Sequence, residues 1–463
     1  MLYHILRRCP RILFLLALCC ILVVTVPAGA AVPVSREQPA PRTLSATEAL
    51  LLAKNLLEQN RPDDAEKIYT ALRNNPSEEI RIEAAFQLAH IWLRQGRYRQ
   101  GISLFHEILN RQPGLTRVRL DLARAYFLDK NYEDATFHFE LVKGGDLPPE
   151  VLANVDGFLD AIRRQKNWTW EFSFSPVFDS NISQASGGKE ECIDTEFGTL
   201  CRPLEEKNSG MGLSASASVD HFWRFHQDWG LRSTVGFSGT AYEQNKYDDY
   251  SFYVASGPRY LWDNGEASVQ PFFRKRWIGA KEYSEEFGLR WDVRQINGRF
   301  ILDAGASYNV VNYAEAYVHN ILKGSVWTLR LQPRFILTDR TFVQAGLDFL
   351  REDTEARDWT NNSWRYSIGA YHAFAYGISL FAGGSFTQTR YASPQWYVTR
   401  DNRIDETTRK DNIWQFFASL SSNTFERYGL TPMLQYVHTK RESNIWTREY
   451  TRNQLFFLLN YKF

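Results

Sequence analysis

From Trp168 onward, apolar and polar side chains alternate with a period of two. Leu213, Ala215, Ala217 and Val219 alternate with Ser214, Ser216, Ser218 and Asp220. Phe287, Leu289, Trp291 and Val293 alternate with Gly288, Arg290, Asp292 and Arg294, and Trp327, Leu329, Leu331 and Phe335 with Thr328, Arg330, Gln332 and Arg334. A period of two places each set on one face of a strand. The runs are about 9 to 13 residues long, the length of a tilted membrane strand, whereas strands in globular sheets average about 5 to 6. The last run, Leu455, Phe457, Leu459, Tyr461 and Phe463, carries one apolar face and reads as the closing strand of an outer-membrane β-barrel. About fourteen such segments are expected, an even number within the range of single-chain barrels.

The connections support that count. Short ones fall at Phe225 to Asp228, Asp263-Asn264-Gly265, Asn297-Gly298, Thr338-Asp339-Arg340, Ala375-Tyr376-Gly377 and Phe425-Glu426. Most of those between them are longer and polar: Asp179 to Met211, Asn312 to Gly324, Asp353 to Asn362, Ser393 to Asn412 and Arg441 to Thr447. Short turns on the periplasmic side and long loops outside are the habit of this class. An even strand count returns both barrel ends to the periplasmic side, so whatever precedes the barrel lies beneath it.

Before Trp168 the apolar period is helical. Three segments repeat near the tetratricopeptide spacing of about 34 residues. They start at Asn60, Gly96 and Lys130, with a small residue five positions on (Ala65, Gly101, Ala135) and an aromatic four beyond that (Tyr69, Phe105, Phe139). The preceding helices carry Leu52-Ala53, Leu88-Ala89 and Leu122-Ala123 in register. The small residue lets two helices approach and the aromatic fills the next layer, the arrangement of a small α-solenoid. A further helix over about Glu150 to Gln165, with Leu152, Val155, Phe158, Leu159 and Ile162 on one face, caps the stack. The expected division is a leader at 1–30, a Pro-rich linker at 31–42, a tetratricopeptide-like helical domain at 43–166 and a transmembrane antiparallel β-barrel at 167–463.

The leader follows from Arg7, Arg8 and Arg11, an apolar run from Ile12 to Val26 too short to span a bilayer, and the small residues Ala28-Gly29-Ala30. Lipidation at Cys19 is disfavoured by the bulky Leu18 before it. Composition narrows the class. A net charge of +1 over 463 residues gives no field for nucleic acid. Aromatic residues at 15% alongside 23% charged residues fit a barrel with interfacial girdles and a wet interior, not a helical membrane bundle. Beyond the leader only Cys192 and Cys201 remain, an exported pair in a polar loop that reads as one disulfide; no histidine lies nearby to favour a metal.

No enzyme is expected. His221, His226, His319, His372 and His438 are scattered over strands and connections without a nucleophile or metal motif. Inward-facing Arg232, Arg274, Arg276, Arg290, Asp292, Arg294, Asp303, Arg330, Arg334 and Asp348 suit mutual pairing in a wet lumen or a charge-lined conduit for a macromolecule. In the helices, Arg94, Arg97, Arg99, Arg117, Arg119 and Arg124, with Arg111, outnumber Glu107 and Asp121. They are candidates for steering acidic cargo segments, with ordinary solvated helix faces as the alternative.

A short tetratricopeptide-like domain joined to such a barrel resembles the surface lipoprotein assembly modulator (Slam) family of Gram-negative bacteria. The junction Trp168-Thr-Trp-Glu-Phe-Ser-Phe-Ser-Pro-Val-Phe-Asp179-Ser-Asn181-Ile-Ser-Gln-Ala185 is similar to that family's first strand and its Asp-Ser-Asn-Ile turn. The resemblance implies an outer-membrane translocator that moves specific surface lipoproteins, or small secreted iron- or haem-binding proteins, from periplasm to cell surface. Expected partners are that exported protein cargo, outer-membrane lipid and the barrel assembly machinery; no cofactor, no metal and no nucleic acid are implied. An exopolysaccharide exporter, or a solute-specific porin with a periplasmic adaptor, is the competing reading. Exporters usually carry many more repeats, and a plain porin leaves the helices without a purpose.

Overall fold

A computed structural model of the chain describes residues 44–423 and 430–462. The leader, the linker, the turn at Phe425-Glu426 and Phe463 lie outside the described residues. Among the described residues seven helices come first: α1 (Ala46–Glu58), α2 (Pro62–Leu72), α3 (Glu78–Arg94), α4 (Tyr98–Arg111), α5 (Thr116–Leu128), α6 (Tyr132–Val142) and α7 (Pro149–Gln165). They form three antiparallel pairs and a final helix.

The repeat positions explain the pairing. Asn60, Gly96 and Lys130, which open the three repeats, all adopt positive φ (58°, 76° and 62°) and end the first helix of each pair in the left-handed conformation. Ala65, Gly101 and Ala135 are buried where the helices cross, and Tyr69, Phe105 and Phe139 sit in the core at 2%, 0% and 0% exposure. A Cβ on Gly101 would stand 2.9 Å from Leu93 Cδ2, so glycine sets the distance between α3 and α4. Ala53, Leu88, Ala89, Leu122 and Ala123 are fully buried, while Leu52, in the terminal repeat with no neighbour before it, stays exposed.

The strands are β1 (Trp168–Asp179), β2 (Glu190–Thr195), β3 (Gly198–Pro203), β4 (Gly210–Arg224), β5 (Trp229–Tyr242), β6 (Asp249–Trp262), β7 (Gly265–Ile278), β8 (Lys281–Asn297) and β9 (Phe300–Tyr313). A short helix α8 (Ala316–Leu322) precedes β10 (Gly324–Thr338), β11 (Thr341–Thr354), β12 (Asn361–Ala373), β13 (Ile378–Val398), β14 (Ile404–Ser422), β15 (Leu430–Ser443) and β16 (Tyr450–Lys462). Fourteen of them form a closed antiparallel barrel in which each strand pairs with its sequence neighbours and β16 pairs with β1; β2 and β3 form a separate hairpin between β1 and β4. Closure leaves no edge strand with unpaired backbone groups, which a bilayer demands.

Alternation sorts the two barrel faces. Phe237, Phe287, Trp327, Leu329, Phe416, Phe457 and Leu459 are exposed on the outside. Aromatic side chains crowd the outer rim at the short-turn end, among them Trp168, Trp223, Trp229, Tyr260 and Phe374, the position of an interfacial girdle. Three connections differ from the reading of the sequence. The expected loop at 393–412 is largely strand, because Pro394 to Val398 pair with Thr408 to Ile404 and leave only 399–403 as the turn; a register break between Arg390 and Pro394 hides this extension from a simple alternation count. The 312–324 connection contains α8, and the 179–211 connection contains the hairpin of β2 and β3.

Candidate functional site

The helices sit across the short-turn end of the barrel. At the β4–β5 turn Arg164 Nη1 donates to Asp228 at 2.8 Å, and at the β6–β7 turn Arg163 donates to the carbonyl of Asp263. Both arginines belong to the last turn of α7, where a positive charge also complements the helix dipole. At the β8–β9 turn Arg299 donates to the Gly145 carbonyl at 3.2 Å. At the β10–β11 turn Asp339 accepts from Thr116 Oγ1 at 3.0 Å and lies 3.8 Å from Arg119. Asn110 of α4 meets Gly377 between β12 and β13, and His106 meets Asn423 at 2.9 Å just after β14. Every short turn, or the strand end beside it, therefore carries a contact to the helices.

Helix α6 goes further and enters the lumen. Its Leu141 packs with Ile296, Ile301, Ile336 and Phe342, inward-facing residues of β8, β9, β10 and β11. Phe137 stands edge-on to Tyr371 of β12, with ring centroids 5.4 Å apart. Between them Glu140, 4% exposed, accepts from Arg294 Nη2 at 2.6 Å and from Arg334 Nη1 at 3.4 Å. At the C-terminal end of the helix, Gly144 lies so close to the β10–β11 turn that a Cβ would sit 2.4 Å from the Thr338 carbonyl. Glu140, which the reading of the sequence does not single out, is thus the carboxylate that joins α6 to the arginines of β8 and β10. The signal lies in Phe137-His-Phe139-Glu-Leu141-Val142, where Phe137, Phe139, Leu141 and Val142 fall on different sides of the helix, so that more than one side must be buried.

The remaining lumen charges largely pair with one another: Arg232 with Asp220 at 2.7 Å, Arg276 with Asp249 at 2.6 Å, Arg290 with Asp292 at 2.8 Å, Arg274 with Glu286 at 3.3 Å and Arg330 with Asp348 at 3.5 Å. Arg294 also reaches Asp303 at 3.3 Å.

The six candidate steering arginines do not form one surface. Arg97 bonds Glu66 at 2.8 Å and covers the Trp92 ring, Arg124 bonds Asp121 at 3.1 Å, and Arg117 lies over Phe86. Arg94 ends α3, and Arg99 follows the turn into α4. Arg119 stands apart from the others: at 4% exposure, near Asp339 and donating to the Pro113 carbonyl, it is buried in the joint with the barrel. Nothing local in the sequence distinguishes it from its neighbours, because its partner is a barrel turn.

Near that joint, His106 Nε2 and the Tyr126 hydroxyl are 2.7 Å apart, and Tyr126 stacks on His138 with centroids 5.6 Å apart. Burial, aided by the charge of Arg119, lowers His106 to about 4 and holds His138 well below the usual histidine range. The barrel histidines go separate ways: His221 packs between Trp168 and Trp223, His372 meets Thr341, His438 meets Asn453, His319 meets the Tyr313 backbone, and His226 lies in the β4–β5 turn. Cys192 and Cys201 face each other across β2 and β3 and are bonded.

The closing strand contributes Leu455, Phe457, Leu459 and Tyr461 to the ladder with β1 and β15. At the long-loop end of this seam, Asp179 accepts from Arg452, Gln454 and Tyr242. Asn181, fully buried, donates to the carbonyls of Ala185 and Thr451, so the Asp-Ser-Asn turn ties β1 to β16.

Comparison with known proteins agrees with this architecture. Residues 168–463 match the family described as surface lipoprotein assembly modifier, and residues 42–139 match that family's N-terminal TPR repeats. "Surface lipoprotein assembly modifier 2" of Haemophilus influenzae is 23% identical over 372 residues, covering 78% of this chain and 74% of its own. "Surface lipoprotein assembly modifier" of Moraxella catarrhalis is 24% identical over 441 residues, covering 90% and 82%. "Hemophilin secretion modulator" of Acinetobacter baumannii is 21% identical over 391 residues, covering 80% and 76%. With a closed fourteen-strand barrel carrying TPR helices across its short-turn mouth, this chain belongs to the surface lipoprotein assembly modifier family.

Proposed function

We propose that this protein is an outer-membrane translocator, not an enzyme, that moves an exported protein from the periplasm to the cell surface. The cargo is a surface lipoprotein or a small secreted protein that binds iron or haem. Residues 1–30 serve as the leader, the helical domain at 43–166 captures cargo in the periplasm, and the barrel at 167–463 provides the passage. Outer-membrane lipid surrounds that barrel, and the barrel assembly machinery inserts it.

The observation that carries the reading is the placement of the repeats on the short-turn mouth, joined to β1 through Lys166 and Asn167 alone. A link that short does not let the domain wander. A concave helical array fixed at the entrance is suited to an extended polypeptide, and it has no role in a plain solute pore. The names of the relatives, which concern lipoprotein assembly and hemophilin secretion, point to the same class of cargo. Deleting residues 43–164 while keeping the leader should leave an inserted barrel and abolish surface display of a co-expressed exported protein encoded beside this one. Normal display in that strain would refute the capture role.

A further inference from the structure

Helix α6 packs against β8 to β12 at the barrel mouth. Beside it, a cavity of ≈ 350 Å³ runs between α6, α7 and the β1, β4 and β5 wall, lined by Glu133, Lys166, Thr169, Ser218 and Arg232 among others. A second cavity of ≈ 250 Å³ lies deeper against the arginine wall, with Arg290, Asp292, Arg330 and Gln332 in its lining. Arg294, the partner of Glu140, lines both. The helix and its salt bridge thus stand where the two spaces would join.

We propose that α6 is a displaceable plug, latched by Glu140 to Arg294 and Arg334, and that its withdrawal opens the barrel mouth to a passing chain. The inference rests on the translocation reading for its purpose but not for its test.

Three features distinguish this joint from a permanent one. First, the apolar contact across it, built on Leu141 against Ile296, Ile301, Ile336 and Phe342, is separate from the large core shared by the helices, so the helical stack keeps its own core when α6 leaves the barrel. Joints between domains move unless they are large and mainly apolar, and here the apolar cluster is five buried residues set beside ion pairs and hydrogen bonds. Second, the joint is imperfectly satisfied. Arg119 Nε, His138 Nδ1, Arg163 Nε and Asn423 Oδ1 are buried there without hydrogen-bond partners among the described residues. Each costs desolvation free energy that water restores when the joint opens. Third, the latch is an ion pair of the exchangeable kind. Bringing a carboxylate into a buried site costs much of what its attraction returns, so the closed and open states stay close in free energy. Arg334 has no other carboxylate within ion-pair distance among the described residues. Once Glu140 withdraws, Arg334 keeps its hydrogen bonds to Gln344 at 3.3 Å, and the Nη1 that Glu140 held turns to water or to an acidic side chain of whatever enters. The pivot is the Lys166-Asn167 link beside β1, across the mouth from the latch on β8 and β10.

The test uses the purified full chain in planar lipid bilayers with potassium chloride as the only probe. Glu140→Arg sets a third positive charge against Arg294 and Arg334, and mean conductance is expected to rise at least threefold over the wild type. Adding Arg334→Glu to that variant restores an opposite-charge pair and returns conductance toward the wild-type level. A cleavable thiol crosslinker joining Thr116→Cys to Asp339→Cys, whose wild-type side chains touch at 3.0 Å, should suppress openings until a reductant cuts it. Glu140→Gln, nearly the same shape as the native residue, gives the same comparison should the arginine variant not insert. Conductance unchanged in the Glu140 variants overturns the plug, and so does opening that the crosslink fails to suppress. Loss of surface display in a protein whose conductance responds as described would instead fault the translocation reading.

Discussion

Asp179 at the end of β1 and Arg452 in β16, 273 residues apart in sequence, form a two-pronged ion pair across the seam where the barrel closes, with contacts of 2.9 and 2.5 Å to one carboxylate oxygen. The Asp179 side chain is wholly buried and that of Arg452 is 18% exposed. Backbone pairing along the seam is interrupted in its middle, at Ser175 and Pro176, so the side chains at the long-loop end add a second fastening. Proline cannot donate to a ladder. The Asp-Ser-Asn turn that the sequence offers as a family likeness is therefore a structural clasp.

Replacing Asp179 by alanine should destabilise the folded barrel by about 3 kcal/mol, because it leaves the Arg452 guanidinium in a mostly buried site without its charge partner. The measurement is the temperature at which the barrel loses its heat-modifiable mobility on a denaturing gel. A matching control is Asp353→Ala: the Arg351–Asp353 pair is about half exposed on each side, and exposed pairs contribute roughly 0 to 1 kcal/mol. Equal midpoints for Asp179→Ala and wild type would show that the clasp holds nothing.

Gly144→Ala should loosen the helices from the barrel. The added Cβ falls 2.4 Å from backbone atoms of Thr338, which cannot swing aside as a side-chain tip would. Overpacking of this kind costs about 1 to 3 kcal/mol. The expected reading is a roughly tenfold fall in the rate of crosslinking between Thr116→Cys and Asp339→Cys, with the barrel's heat-modifiable mobility unchanged. Gly157→Ala on α7 serves as the control, since open space surrounds that position and alanine favours the helix by about 1 kcal/mol. An undiminished crosslinking rate in Gly144→Ala would mean that the turn yields.

The barrel and the repeats are legible in the sequence for the same reason. Lipid on one side of a strand, or a neighbouring helix on one side of a helix, imposes a local period that residues such as Phe287, Leu289 and Trp291, or Ala65 and Tyr69, record directly. The joint between the two parts is not legible that way. Glu140 finds its partners 154 and 194 residues further along the chain, and no local period encodes such a meeting. Arg119 reads as one more basic residue on a helix because Asp339, which buries it, lies in a two-residue turn. The β13–β14 extension escaped because both its faces carry polar residues and Pro394 breaks its rhythm. The apolar residues around Glu140 are the exception, since Phe137, Phe139, Leu141 and Val142 fall on more than one side of a solenoid helix, which must therefore touch something besides its neighbours.

Removing the disulfide should act locally. Cys192 and Cys201 close a short loop in the β2–β3 hairpin, which stands apart from the fourteen-strand ladder and bonds the β13–β14 turn through Asp194 N and the Asn402 carbonyl at 2.9 Å. A bridge over a loop this short contributes about 2 to 3 kcal/mol to the segment it closes. The doubly substituted protein, Cys192→Ser with Cys201→Ser, should lose the hairpin to added protease at least several times faster than the wild type, while the barrel's heat-modifiable midpoint stays put. A lowered midpoint would mean that the hairpin braces the barrel.

Docking of the helices should weaken in acid, and the direction follows from His106 and His138. Both bind protons less readily in the folded protein than in the unfolded chain, since burial and the charge of Arg119 oppose the imidazolium. Where the unfolded chain holds more protons than the folded one, stability rises with pH. Their contribution is thus complete above about pH 6.5 and is lost as the pH falls from there toward about 4, the value for His106. For His106 alone the loss reaches about 3 kcal/mol at the low end, at 1.36 kcal/mol per pH unit. Because His106 also touches Asn423 beyond β14, charging it strains the joint with the barrel as well as the helical core. Crosslinking between Thr116→Cys and Asp339→Cys, quenched at a series of pH values and compared at constant thiolate reactivity, should decline across that window. In a protein carrying His106→Gln and His138→Phe the decline between pH 6.5 and 5, above the range of ordinary carboxylates, should disappear. If it persists there, groups other than this histidine pair set the acid limit of the joint.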